Sequence, residues 1–190
     1  MKKNIKRILK ILLILLLIIC SIIFTITTYF ADEIEKSVIS KIQNNLDAPL
    51  ILDDVEFTIY ENFPYASVKI TNLLVLESTE FNNDTLLFAK RAYIELSLFD
   101  LINKVYDLQS IIVTDAKINI KYSNLNTPNF LIFKKNPKNK NPLSIHKITL
   151  LNAELIIKKE IPMLDMSWDL TKSIITINNN IYMFNIDGFS

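Results

Sequence analysis

The chain of 190 residues contains one glycine, one cysteine and one histidine. Each scarcity removes a class of chemistry. With Gly188 as the only glycine, there is no phosphate-cradling loop and no dinucleotide fingerprint, since both need glycine for close backbone approach. Turns must then be made mostly by asparagine and aspartate, which tolerate left-handed backbone. Cys20 lies inside an apolar run, so no disulfide or thiolate chemistry is expected after it. His146 has no second His or Cys with which to share a metal. Clustered positive charge is scarce too. Five of the 21 basic residues (Lys2, Lys3, Lys6, Arg7 and Lys10) fall in the first ten positions, leaving 16 against 20 acidic residues in the rest. A mildly acidic domain lacks the basic face that nucleic acid requires, so nucleic acid is not expected as a partner.

Charge is also missing from Ile11 to Phe30, a run of twenty residues. As a helix such a run spans roughly 30 Å, the thickness of a bilayer core, and lipid offers peptide groups no other partner. The sequence therefore predicts a transmembrane helix over 11–30, with Ile11, Leu15, Ile19, Phe24 and Phe30 as anchoring positions. The basic cluster Lys2, Lys3, Lys6, Arg7 and Lys10 before it, and Asp32, Glu33 and Glu35 after it, predict a cytoplasmic N-terminus and an extracytoplasmic remainder. A cleaved signal peptide fits less well, because Tyr29 stands where a small residue is needed before the cut at Ala31. A lipoprotein also fits less well, because the bulky Ile19 precedes Cys20. The expected organisation is a basic cytoplasmic segment (1–10), the span (11–30), an amphipathic helix and linker (31–48) and a β-rich domain (49–190).

In the segment after the span, Ile34, Val38, Ile42 and Leu46 recur every four residues and make one apolar helical stripe, ended by Asp47-Ala48-Pro49. The stripe either lies on a bilayer surface or covers the first strands, and the second is the expected arrangement. Beyond it the period becomes two, the mark of a sheet with unlike faces. Val55, Phe57 and Ile59 alternate with polar residues, as do Ile94, Leu96 and Leu98, and then Ile118, Ile120 and Tyr122. Strands are expected at Val68–Leu76, Leu86–Leu98, Ile145–Lys158, Met163–Leu170, Ser173–Ile177 and Ile181–Ile186, with a helical turn at Phe99–Lys104. The proline-bearing, lysine-rich stretch Asn124–Pro142 reads as a solvated loop, the other reading being a contact with anionic headgroups. Residues Ile111–Ile120 align with Ile148–Ile157 at a spacing of 37 residues, each an apolar strand, an Asp or Asn followed by Ala, then a second strand. Val68–Leu73 is a looser copy. Such a repeat predicts a sheet built by accretion.

No catalytic constellation emerges. The acidic pairs Asp53-Asp54 and Asp165/Asp169 lack calcium-loop spacing and read as turn and surface residues. Trp168 reads as a core anchor. No cofactor, metal or enzymatic activity is expected.

The basic start, single span and short helix, followed by Asp54-Val55-Glu56-Phe57 and Asn62-Phe63-Pro64, resemble the N-terminal region of the AsmA family, in particular its Bacteroidetes members. The stretch Phe88 to Leu101 and the segment Leu108-Gln109-Ser110-Ile111 with Asp115-Ala116-Lys117-Ile118 are also similar to that family. The likeness covers roughly residues 1 to 170. It implies an inner-membrane anchor and a periplasmic, mainly β domain with an antiparallel repeating sheet curved into a groove. Its implied role is non-catalytic participation in outer-membrane biogenesis or phospholipid handling, as in the more distant TamB-like lipid bridges. On this resemblance, the groove-lining residues are Phe57, Ile59, Ile94, Leu96, Leu98, Ile118, Ile120, Leu155 and Ile157, and the partners are membrane lipids. Family members are several hundred residues long. About eight strands at ~4.8 Å reach only roughly 40 Å, and Asp187-Gly188 reads as a hairpin turn, so a truncated member is expected. Two other readings stand beside it: a membrane-tethered structural or adaptor module with a closed β core, and a nonfunctional fragment.

Overall fold

A computed structural model describes residues 2–25, 29–62, 64–78, 81, 84–103, 105, 107–123, 126–134, 145–159, 163–178 and 181–189. At 2–4, 23, 102, 177–178, 181–182, 184 and 187–189 it describes the backbone only. Two helices open the chain: α1 (Lys2–Thr25) and α2 (Ala31–Asn45). Strands β1 (Leu50–Ile51), β2 (Asp54–Thr58), β3 (Ala66–Leu76) and β4 (Thr85–Leu96) follow. After the single turn α3 (Leu98–Ile102) come β5 (Leu108–Tyr122), β6 (Lys147–Lys159), β7 (Leu164–Asn178) and β8 (Ile181–Phe189). Phe63, Asn82, Asn83 and the basic run 135–140 lie outside the described residues.

From Ile11 onward α1 is apolar on every side, and Ile11, Leu15, Ile19 and Phe24 are exposed. Among the described residues no helix is long and apolar enough to cross a membrane. The uncharged described part of α1 runs from Ile11 to Thr25, about 22 Å at 1.5 Å per residue. Residues 26–28 lie outside the described residues.

α2 behaves differently. Ile34 and Val38 are buried and Ile42 is partly buried, so the stripe covers the first strands. Each fully buried aliphatic side chain of this kind contributes roughly 1.5–3 kcal/mol. The Glu35 carboxylate also accepts a hydrogen bond from the Phe57 backbone N–H at 2.8 Å, which satisfies a donor on β2 that no neighbouring strand reaches.

The strands form one open sheet in the order β1-β3-β4-β5-β6-β7-β8, with β2 also on β3. All described pairings are antiparallel except one. β5 and β6 are parallel, and Ile111 to Ile120 pair with Ile148 to Ile157 at the same offset of 37 residues as the sequence repeat. The purely antiparallel expectation is corrected here. A parallel neighbour requires a long crossover, and residues 123–146 supply it.

One line runs across the whole sheet. Asn72, Asp115 and Asn152 have φ of 50°, 53° and 53°. The registers place Asn72 opposite Lys90, Lys90 opposite Asp115, Asp115 opposite Asn152, Asn152 opposite Thr171 and Thr171 opposite Gly188, each flanked by regular pairs. On the near edge, Asp53 interrupts β1/β2 at the same level, and its carboxylate accepts from the Asn72 amide at 2.8 Å. Asparagine and aspartate adopt this left-handed backbone at less cost than other side chains because their short polar groups bond locally. Here the Asn152 amide donates to Asp115 at 2.6 Å, and Arg91 donates to the other Asp115 oxygen at 3.1 Å.

The line changes which residues face the core. On β3 the buried apolar residues are 66, 68 and 70 before it, and 73 and 75 after it, and Ser67 is buried as well. Residues 71–72, 90–91, 114–115, 151–152 and 171–172 all face away, each pair lying between two buried positions. Two sequence expectations fail at this line. Met163–Leu170 and Ser173–Ile177 are one strand, β7, because the polar pair Thr171-Lys172 marks a change of facing and not a turn. Asp187-Gly188 is not a hairpin either. It lies within β8, with Asp187 paired to Lys172 and Gly188 on the line.

Asn152→Gly should leave stability close to wild type. Asn152→Ala should lose about 1 kcal/mol or more relative to the glycine variant, because only the alanine meets the left-handed steric penalty. Urea unfolding of the full chain in mild detergent measures the difference.

Candidate functional site

The face of the sheet that carries the apolar residues is the candidate site. The two rows beside the line are buried across the sheet. Ile70, Ala92, Val113, Leu150 and Ser173 form one, and Leu73, Ala89, Ala116, Ala153 and Leu170 the other. Three of the second row are alanines, so bulk is least along this seam. Burial then falls with distance from the line on the later strands. Ile148, Leu155, Ile157 and Ile175 are only partly buried. Further out, Leu164 and Met166 are about 40% exposed.

The early strands are closed. α2 lies over them with Ile34 and Val38, and Ile132 joins the same core from the segment 126–134. That segment is fixed by a buried polar cluster. Asn129 is fully buried, and its amide donates to Glu77 at 2.9 Å and to the Asn119 carbonyl at 2.9 Å. Its side-chain oxygen accepts from the Lys121 backbone N–H at 2.9 Å. Lys121 bridges the buried Glu77 at 2.9 Å and Asp84 at 2.8 Å. Burial opposes the Lys121 charge, but the two carboxylates outweigh it and hold the ammonium pKa above the ordinary lysine value.

The predicted residues fall into two groups. Phe57, Ile59, Ile94 and Leu96 lie in the closed core, and Leu98 packs against it from the start of α3. Ile118 and Leu155 pair side by side, as do Ile120 and Ile157, in the partly open region. Val68 joins Phe57 to Ile94 in one row, which continues through Ile111 and Ile148 to Ile175. Strict alternation from Ile118 and Ile120 misses Ile111 and Ile148, because the facing changes at Asp115 and Asn152. The recurring Asp or Asn before Ala was the available signal. Trp168 is partly buried against the core. Lys6, Arg7 and Lys10 are exposed on α1, Phe30 is 37% exposed beyond it, and the side chains of Lys2 and Lys3 lie outside the described residues.

The opposite face is mixed, with Phe88, Ile112, Leu151, Ile156 and Ile174 among its polar and charged residues. It holds a recess of about 430 Å³ lined in part by Lys117, Lys121 and Lys158. Each of these lysines already has a carboxylate partner: Glu154 at 2.9 Å for Lys117, Glu77 and Asp84 for Lys121, and Asp165 at 4.0 Å for Lys158. The recess therefore has little uncompensated charge to offer an anion. Glu61 and Lys69 pair on this face at 3.0 Å. Burial raises the Glu61 pKa, but the hydrogen bonds from Lys69 and Tyr93 outweigh it and leave it below the ordinary carboxylate value. Among the described residues no three His, Cys, Asp or Glu side chains gather to hold a metal, and His146 is exposed.

No family, curated protein or solved structure matches this chain.

Asn129→Ala should destabilise the domain by about 1–3 kcal/mol, because the buried Glu77 carboxylate loses one of its two donors and the Lys121 backbone N–H loses its acceptor. Lys121, with its folded pKa raised, stabilises the fold fully below the ordinary lysine pKa, and that contribution is lost as pH rises through the folded value. Alkaline unfolding followed by circular dichroism should therefore be shallower in Lys121→Met, which should already be less stable at neutral pH.

Proposed function

We propose that this chain is a non-catalytic envelope protein of AsmA-like character, anchored in the inner membrane by its N-terminal helix. Its β domain lies in the periplasm and handles phospholipid by taking acyl chains into an apolar groove along the sheet. The observation that carries this reading is the uneven closure of the apolar face. The early strands are covered by α2 and Ile132, while Ile148, Leu155, Ile157 and Met166 on β6 and β7 remain partly open. A soluble domain gains nothing by leaving such a strip to water, and an acyl chain would dry it.

The anchor rests on the uncharged run Ile11–Phe30, on the exposed apolar side chains around α1 and on the basic residues before it. A second reading, an adaptor with a closed β core, draws on the sealed β2–β4 side, where Ile70, Ala89 and Ile94 are almost inaccessible.

Photo-crosslinking separates the two. A benzoylphenylalanine at Ile157 in the full chain, produced in bacterial membranes, should capture phospholipid, and one at the outward-facing Thr114 should not. Absence of lipid at both positions would favour the adaptor. Resistance of the chain to alkaline carbonate extraction checks the anchor separately.

A further inference from the structure

The segment 130–134 holds bulky apolar side chains in water. Phe130, Leu131 and Phe133 are 41%, 54% and 55% exposed. Their backbone is fixed on both sides. Asn129, just before them, is sealed in the Glu77–Lys121 cluster, and Ile132, between them, is buried in the core. The Asp47 N–H donates to the Ile132 carbonyl at 2.7 Å, and the Lys134 N–H donates to the Asn45 carbonyl at 3.0 Å. Phe133 is bridged to Leu46 at the end of α2. The Phe130 ring meets Tyr122 edge-on, with centroids 6.4 Å apart. Ordering a segment costs conformational entropy, and here the ordered product includes an exposed apolar patch.

The surrounding charge identifies what fits that patch. No acidic residue occurs between Asp115 and Glu154, while Lys134, Lys135, Lys138 and Lys140 follow the two phenylalanines directly in sequence. Aromatic and aliphatic side chains beside a run of lysines are the composition of an interfacial membrane contact. The apolar groups enter the headgroup and acyl boundary, and the lysines meet lipid phosphates. A protein groove would accept the apolar groups but would have no general need for the four lysines that follow them in sequence.

We infer that the 130–134 edge is a second membrane contact, which seats the domain on an anionic bilayer surface independently of α1. It rests on the proposed function only in that the protein works at a membrane; the acyl-binding groove is not required. Such a seat would hold the open strip of β6 and β7 near a lipid surface.

The test uses the full chain carrying Cys20→Ser and Leu131→Cys, labelled with an environment-sensitive nitrobenzoxadiazole fluorophore and reconstituted into phosphatidylglycerol-rich vesicles. The label at 131 should shift to the blue and lose roughly half its emission when doxyl-labelled lipid is included, as expected for a group at the acyl boundary. A label at exposed Lys158 should do neither. Doxyl lipid placed only in the host vesicles or only in added protein-free vesicles tells whether the contact is with the anchoring membrane or with a second one. Replacing phosphatidylglycerol with phosphatidylcholine, or raising salt, should weaken the quenching. A water-like spectrum in both arms overturns the inference. So does a blue shift without doxyl quenching, which would indicate a protein contact. Failure of the α1 anchor would be seen separately, as a chain released by alkaline carbonate.

Discussion

Left-handed backbone at Asn72, Asp115 and Asn152, held at one level across neighbouring strands, is the constraint from which the rest of this architecture follows. A single such residue in a strand would break the alternation of its side chains and disorder the pairing beside it. When strands that meet all change facing at the same row, the registers survive intact on both sides. The two halves of each strand can then direct apolar residues into one core although their numbering parity differs. The hydrogen bonds among Asp53, Asn72, Arg91, Asp115 and Asn152 stabilise this row from the face opposite the core. Those from Asn152 and Arg91 also hold the Asp115 carboxyl below the ordinary aspartate pKa.

The cover of the apolar face is organised from the first edge inward. α2 supplies Ile34 and Val38 and reaches the β2 edge with the Glu35 carboxylate. The crossover between the parallel strands supplies Ile132 and the buried Asn129 cluster. Both covers act on the early strands. The polar cluster fixes where the crossover stops, because a displaced Asn129 would leave Glu77 buried without its amide partner. The later strands receive neither cover, and their apolar side chains are correspondingly more open. This asymmetry is the observation on which the proposed lipid-facing role rests.

Much of the fold was legible from period and spacing. The stripe Ile34–Val38–Ile42–Leu46 gave α2 and its direction of burial, and the alternating runs gave most strands within a few residues. The repeat of 37 residues was visible as well, although its meaning as a parallel pair was not, since alternation carries no strand direction. The facing change was hidden because it adds no residue and needs no glycine or proline. Thr171-Lys172 therefore resembled a break between strands, and Asp187-Gly188 a turn. The same blindness divided the candidate lining. Ile94 and Ile118 each belong to a regular alternating run, but the rows linking them to Ile111, Ile148 and Leu155 exist only once the registers are known. The solvated-loop reading of Asn124–Pro142 did not anticipate that Asn129 and Ile132 are buried, because their partners lie on distant parts of the chain.

The equal offset of the β5/β6 register and the sequence repeat has an evolutionary consequence. A segment that pairs in register with its own duplicate provides the template on which its copy folds, so tandem duplication needs no new interface. Each added strand would widen the sheet by about 4.8 Å and would carry its own Asx-Ala element to the shared row. Apolar surface could thus lengthen by copying alone, with selection left to adjust the crossover and not the core.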